Sequence, residues 1–125
     1  MQDLPLTFES DNIEYLLFDF GDAIATRVDN PDMTGNSSGQ VMSLEKVVGA
    51  QVWAGVALPV ASIVDLSSSS LMFVQVWSPR AGVPFLLKIE DTNSAADADG
   101  NPTIFAEVQA STTVAGAWDC LLYTS

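Results

Sequence analysis

Residues Leu71–Glu90 read LMFVQVWSPRAGVPFLLKIE, and this stretch decides the fold class. Apolar and polar residues alternate in VQV at 74–76 and in LKIE at 87–90, on either side of the segment SPRAG at 78–82. An alternation with a period of two is typical of β-strands, and proline followed by glycine is typical of a tight turn. The stretch therefore predicts two strands, Leu71–Ser78 and Phe85–Glu90, joined by a short turn.

The rest of the chain repeats this organisation. Short apolar runs alternate with segments rich in glycine, proline, asparagine and serine, and no segment has the pattern of an amphipathic helix. Further strands are predicted at Leu6–Glu9, Tyr15–Phe20, Ala23–Asp29, Val41–Val48, Val52–Leu58, Ile63–Asp65, Ile104–Ser111 and Trp118–Thr124. Many short strands joined by long loops favour an all-β fold, a two-sheet antiparallel β-sandwich of the jelly-roll type. We expect one domain spanning residues 1–125, with its last strand at 118–124.

The composition argues against several classes of function. Sixteen acidic residues against four basic ones give a net charge of -12, and the chain has no histidine. Nucleic acids and anionic membranes are therefore not expected as partners, because both are bound through lysine and arginine. No apolar run approaches the roughly 20 residues that span a bilayer. Without histidine, and with Cys120 as the one cysteine, the usual nucleophilic and zinc-based catalytic sites are missing, and we expect no enzyme activity.

Alternation also assigns the faces of the strands. Met72, Val74 and Val76 are expected to face the core, and the residues between them to face outward. An exposed indole stacks on the C–H side of a sugar ring, and amides and carboxylates bond its hydroxyls. If the strands share one concave sheet face, the sequence predicts a carbohydrate-binding surface for a polysaccharide or oligosaccharide. Its residues are the outward tryptophan, amide and charged side chains of four predicted strands, namely Trp53, Gln75, Trp77, Lys88, Glu90, Glu107 and Gln109.

Other interpretations of the same residues stay open. The tryptophans can cover the end of the core, while Lys88, Glu90 and Glu107 form surface ion pairs of little energetic value. The tryptophan face can also be a protein interface, as in a structural, adhesion or interaction module of a secreted or phage particle protein. A glycosidase needs two carboxyls across a cleft, and Glu90 and Glu107 qualify by position. Lys88 beside them favours a salt-bridged binding surface instead.

The stretch Val74–Asp91 resembles the middle of carbohydrate-binding-module-like jelly-roll domains of secreted glycanases from marine and polysaccharide-degrading bacteria. In that family an aromatic residue, Ser-Pro, a turn glycine and a strand ending in Lys-x-Glu follow one another. Leu4–Glu9 looks like the family's opening strand, Asp29–Ser38 like its first long loop, and Ala117–Tyr123 like its closing strand. The resemblance implies non-catalytic polysaccharide targeting within a larger multidomain glycanase. It also implies a secreted or extracellular location, and since Met1–Pro5 does not look like a signal peptide, the chain is expected to be a fragment or a mature module.

The resemblance further implies one structural calcium ion, held by a glutamate of the first strand and an acid of the last. Glu9 matches the first ligand. Thr124 stands where the family has the acid, so the second ligand is lost unless Asp119 substitutes for it. The alternative for both residues is a solvated carboxylate without a metal.

Two polar loops are weaker candidates. The string DADGN at 97–101 has the spacing of half a calcium loop but lacks the downstream glutamate, and is predicted to be a turn. Asn30 and Asn36 lie in the loop 29–39, where side chains of this kind are expected to bond the loop's own backbone.

Overall fold

A computed structural model describes residues 1–62, 64 and 71–124. This part of the chain is all-β, as predicted, and is consistent with a β-sandwich, while the two-sheet jelly-roll topology stays a prediction. The strands are β1 (Phe18–Phe20), β2 (Ala23–Asp29), β3 (Gln40–Lys46), β4 (Gly55–Ala57), β5 (Leu71–Ser78), β6 (Pro84–Glu90), β7 (Phe105–Ser111) and β8 (Ala117–Thr124). They form four antiparallel pairs, β1–β4, β2–β3, β5–β8 and β6–β7. Across the described ranges no helix is long and apolar enough to cross a membrane.

Most predicted strands are confirmed, some with shifted ends. Ala23–Asp29 and Leu71–Ser78 match the structure at both ends. Leu6–Glu9 is wrong, because Phe8 has a φ of 58°, which an extended strand does not allow. Val52–Leu58 shortens to β4, because residues 51–54 form a turn in which the Ala54 N–H donates to the Gln51 carbonyl at 3.0 Å. The predicted strand at 63–65 lies outside the described residues.

The chain folds as two compact units, Met1–Val64 and Asp65–Ser125. Two compact units can belong to one domain, so the single-domain prediction for residues 1–125 stays a prediction.

In the first unit, side chains replace missing strand partners. The fully buried Gln2 lies beyond the end of the β1–β4 pair, where Leu16 and Pro59 continue the register. Its amide nitrogen donates to the carbonyls of Leu16 and Pro59 at 2.9 and 2.8 Å, and its amide oxygen accepts the Leu16 N–H at 2.7 Å. Because proline has no N–H, the backbone ladder cannot continue there, and the Gln2 amide supplies the bonds instead.

Arg27 of β2 holds the segment 6–15, which we call the N-terminal arm. Its Nε donates to the Phe8 carbonyl at 2.6 Å, and its guanidinium pairs with Asp11 at 3.1 Å. The guanidinium also lies 5.4 Å from the centre of the Tyr15 ring, a cation–π arrangement. These contacts give the arm a fixed path without a strand.

The second unit is one long two-stranded ribbon that bends once. β6 and β7 form a hairpin, and β5 and β8 continue it in the same register. Each arm of the ribbon is interrupted by five residues, 79–83 in one and 112–116 in the other. We call these two segments the corner. Their equal length keeps the partners opposite each other on both sides of the bend.

The bend brings the inner faces of the two sheets together, so the second unit is a small sandwich. The buried residues of β5 and β8 are Val76, Leu121 and Tyr123. Half-buried side chains packed against them come mostly from β6 and β7, and are Val74, Phe85, Leu87, Val108 and Ala110. The Tyr123 hydroxyl donates to the Phe85 carbonyl at 3.2 Å and ties the sheets further. Exposure alternates along β6, as the sequence predicts.

Thr112 connects the two segments of the corner by hydrogen bonds. It is 3% exposed, and its hydroxyl donates to the Arg80 carbonyl at 2.9 Å while accepting the Val83 N–H at 3.0 Å. Its backbone accepts from Gly82 at 2.7 Å and donates to Val83 at 2.9 Å. One residue of one arm thus satisfies several backbone groups of the other.

Thr112→Val keeps the shape of the side chain and removes its hydroxyl. We expect the free energy of unfolding to fall by about 1–3 kcal/mol, because the Arg80 carbonyl and the Val83 N–H lose the partner that the buried Thr112 supplies. Urea unfolding measures this, with Thr34→Val in an exposed loop as the matched control, expected to change stability by less than about 0.5 kcal/mol. Equal unfolding midpoints for the two variants would contradict the role of Thr112.

Candidate functional site

The seven residues predicted to bind carbohydrate lie on three different surfaces. Those on the outward face of the β6–β7 pair are Lys88, Glu90, Glu107 and Gln109. Gln75 and Trp77 lie on the β5–β8 pair, and Trp53 belongs to the first unit. Since β5 and β6 belong to different sheets, the seven side chains do not form one sheet face.

The lysine of the β6–β7 face is paired with its own neighbours. The Lys88 ammonium lies 3.0 Å from a Glu90 carboxylate oxygen and 4.3 Å from the centre of the Phe105 ring. Glu107 is directly opposite Lys88 across the pair. The single positive charge of this face is therefore held by its own neighbours, as the ion-pair interpretation expects.

The β5–β8 face presents Trp77 only in part. Trp77 is opposite Trp118 and is half-buried. Its indole nitrogen is buried and has no hydrogen-bond partner in the structure. The polar end of this side chain is therefore not presented to a ligand, which makes Trp77 a poorer stacking residue than its outward position predicts.

Trp53 is part of an exposed aromatic group in the first unit. The Trp53 and Phe20 rings have centres 6.2 Å apart and planes inclined by 19°. The exposed fractions are 62% for Trp53, 57% for Phe18 and 44% for Phe20. We call Phe18, Phe20 and Trp53 the aromatic platform. Sequence reasoning found Trp53 and missed both phenylalanines, although the spacing Phe-x-Phe in a strand places two rings on one face.

Small residues make the aromatic platform possible. Gly55 is opposite Phe20, and a Cβ added there would lie 3.2 Å from the Phe20 ring. At Gly21 an added Cβ would lie 2.9 Å from both the Trp53 ring and the Ala54 backbone. The rings therefore rest directly on glycine backbone.

The turn that carries Trp53 is joined to the turn between β1 and β2. Gly21 and Asp22 both have positive φ, 68° and 67°, a combination found in type I′ turns. The Gly21 carbonyl accepts the Gln51 N–H at 3.0 Å. The Lys46 ammonium donates to the Val52 carbonyl at 3.3 Å, on the same turn 51–54. A positive charge thus lies at the residue next to Trp53.

The carboxylates of both predicted calcium ligands accept hydrogen bonds from the protein itself. A Glu9 carboxylate oxygen accepts the Gln40 N–H at 2.6 Å, and backbone hydrogen bonds from Gln40 and Gly39 hold the pKa of this carboxyl below its ordinary 4.5. Asp119 accepts the N–H and the hydroxyl of Thr113 at 2.7 and 3.0 Å, and these bonds lower its pKa below 3.8.

Each of these carboxyls accepts hydrogen bonds within its own unit, Glu9 in the first and Asp119 in the second. Among the described residues no group of three or more acids or cysteines is arranged to hold a metal. The calcium ion stays a prediction of the resemblance, and the structure gives both carboxylates another role.

The two polar loops close on themselves. The Asn30 amide donates to the carbonyls of Asn36 and Ser38, each at 2.8 Å. The Asp97 carboxylate accepts the N–H groups of Asp99 and Asn101, each at 2.9 Å. Both loops are turns held by side-chain to backbone bonds, as expected.

The chain matches no protein-family model, no curated protein and no solved structure. The function is therefore argued from the geometry of the described residues, and the resemblance stated from the sequence stays a prediction.

Gly21→Ala is expected to displace Trp53. The variant combines a positive φ with a contact to backbone, and we expect a loss of about 2–3 kcal/mol in the free energy of unfolding. Gly100→Ala is the matched control, because Gly100 has a φ of 83° but nothing within 4 Å of an added Cβ. Urea unfolding followed by tryptophan emission compares them. Equal losses of unfolding free energy in the two variants, with unchanged tryptophan emission from both folded proteins, would show that the contact between Gly21 and Trp53 does not contribute to stability.

Acid is expected to destabilise the first unit through Glu9. Its lowered pKa means that the ionised carboxylate stabilises the folded state above about pH 4.5, and that this contribution is lost as the pH falls through the lowered value. Glu9→Gln should remove this part of the pH dependence. Thermal melts of both proteins from neutral to acidic pH measure it. Melts in calcium and in chelator test the metal separately, since a calcium-induced rise seen only with Glu9 would favour a calcium site.

Proposed function

We propose that this chain is a non-catalytic carbohydrate-binding domain, with the aromatic platform as its sugar-binding surface. The observation that carries the proposal is the exposure of three large rings, two of which, Phe20 and Trp53, stack on each other and lie against glycine backbone. Exposed apolar surface is unfavourable by roughly 25 cal/mol per Å². Contiguous exposed aromatic groups therefore commonly mark an interaction site.

The platform has the chemistry that a sugar ring requires. The face of an aromatic ring carries partial negative charge, and it attracts the C–H bonds on the apolar side of a pyranose. Trp53 rests with part of its ring on Gly21, which leaves most of its surface open to a ligand. Phe18 and Phe20 extend the apolar area along β1. A platform of this kind suits an extended chain of sugars, with successive rings lying on successive aromatic groups.

The remaining parts of the proposal rest on the sequence. The resemblance supports a jelly-roll topology, a secreted location and attachment to a larger glycanase. The polar face of the β6–β7 pair, with Glu107 and Gln109, offers groups that bond sugar hydroxyls, and stays a second place to look for a ligand.

A structural or adhesion module is the second candidate, and a different surface favours it. The outward face of the β5–β8 pair has no charged residue and exposes Leu71, Phe73 and Leu122 by 49, 62 and 59%. Uncharged apolar surface of this kind on a strongly acidic chain is typical of a protein interface. Sedimentation at increasing concentration, together with the sugar assays below, separates the two candidates.

Trp53→Ala is expected to abolish sugar binding while the protein stays folded. Affinity electrophoresis against soluble glucans, xylans, mannans and uronate polysaccharides identifies a ligand, and titration calorimetry measures its affinity. We expect Trp53→Ala to lose at least about tenfold in affinity, equivalent to about 1.4 kcal/mol.

Trp77→Phe is the control, because it removes a tryptophan outside the platform. Trp77→Phe should bind polysaccharide with the affinity of the unsubstituted protein. Its free energy of unfolding should fall only as far as the loss of the larger ring requires, because the indole N–H that is removed had no hydrogen-bond partner. Absence of retardation by every polysaccharide of the panel would rule the proposal out. Loss of binding in Trp77→Phe with retention in Trp53→Ala would move the site to the β5–β8 face.

A further inference from the structure

We infer that the aromatic platform selects sugars that carry a carboxylate, that is uronates, and that Lys46 recognises this carboxylate. The inference rests on the proposed carbohydrate binding and names the class of sugar. It depends on where the Lys46 ammonium lies and on what neutralises it.

Lys46 reaches the turn that displays Trp53. It is the last residue of β3 and is opposite Ala23, which follows the Gly21–Asp22 turn. Its ammonium donates to the Val52 carbonyl at 3.3 Å, one residue before Trp53. The hydrogen bond holds the charge of this long side chain at the carbonyl of the residue that precedes Trp53 in the turn 51–54.

The charge of Lys46 is not neutralised within the part of the chain that the structure describes. The ion pairs there are Arg27–Asp11 and Lys88–Glu90. Among the described residues no carboxylate lies within ion-pair distance of Lys46, although the chain has sixteen acids and only four bases. An ammonium has three N–H donors. The Val52 carbonyl takes one of them, so two are available to a ligand.

A uronate combines both complementary features. Its ring offers a C–H face for Trp53, and its C-6 carboxylate extends beyond the ring edge, where an ammonium can form charge-assisted hydrogen bonds. The neutral counterpart has a hydroxymethyl group at this place and forms only an ordinary hydrogen bond. Recognition would be local, because the net charge of -12 repels polyanions at longer range. Short oligosaccharides at about 0.15 M salt, where the screening length is about 8 Å, reduce this repulsion.

The test uses sugars that differ only at C-6. Two matched pairs of oligosaccharides suit it, one with β-1,4-linked mannose and mannuronate, the other with β-1,4-linked glucose and glucuronate. Titration calorimetry is carried out on the full chain and on Lys46→Gln. We expect the uronate of at least one pair to bind at least about fivefold more tightly than its neutral partner, and Lys46→Gln to remove that preference. Arg80→Gln makes the same change of charge in the corner of the second unit, where Arg80 is exposed, and should retain it.

The outcomes separate the inference from the function on which it rests. Equal binding of the two members of each pair, tighter binding of the neutral sugars, or a uronate preference that persists in Lys46→Gln overturns the role of Lys46. In those cases loss of binding in Trp53→Ala still supports carbohydrate binding at the aromatic platform. Binding of neither member of either pair, joined with no retardation by any polysaccharide, overturns both. Circular dichroism and urea unfolding establish that each variant is folded.

Discussion

Two segments of equal length, 79–83 and 112–116, let one register run through the whole second unit. The sandwich depends on this equality, because a side chain in a strand faces the core only while its register holds. Thr112 connects the two segments through its hydroxyl and its backbone. The core that results is small, with Val76, Leu121 and Tyr123 buried. In a core of this size, backbone bonds at the bend carry a large share of the stability.

In the first unit, side chains supply hydrogen bonds that its short strands do not form. Its strands β1 and β4 are short, and Pro59 ends the ladder of backbone bonds between them. A buried glutamine amide offers both donors and an acceptor, so Gln2 bonds to both chains where the ladder stops. Arg27 likewise holds the N-terminal arm by hydrogen bonds, an ion pair and a ring contact. Side chains that act as backbone substitutes leave β1 free to expose its aromatic face.

The alternation of side chains along the sequence predicts one part of this structure and not another. Alternation along β5 and β6 places Val76 inside and Trp77, Lys88 and Glu90 outside, because local periodicity reports the face of each strand. It cannot report which strands pair, since pairing depends on contacts distant in sequence. Alternation predicts that Trp77 and Lys88 both face outward, but it does not indicate that they lie on different sheets. The path around Phe8 escapes prediction for a related reason, because a distant arginine holds it in place.

The equal halves of the corner also bear on how this sequence can change during evolution. An insertion of one residue in 79–83 that slips one arm past the other would turn the inner face of a strand outward. An insertion of the same length in 112–116 restores the partners. The distal loop between β6 and β7 has no such restriction, because it closes the free end of the hairpin. Divergent descendants of this chain should therefore vary freely in length at that loop, and at the corner only by paired insertions or deletions.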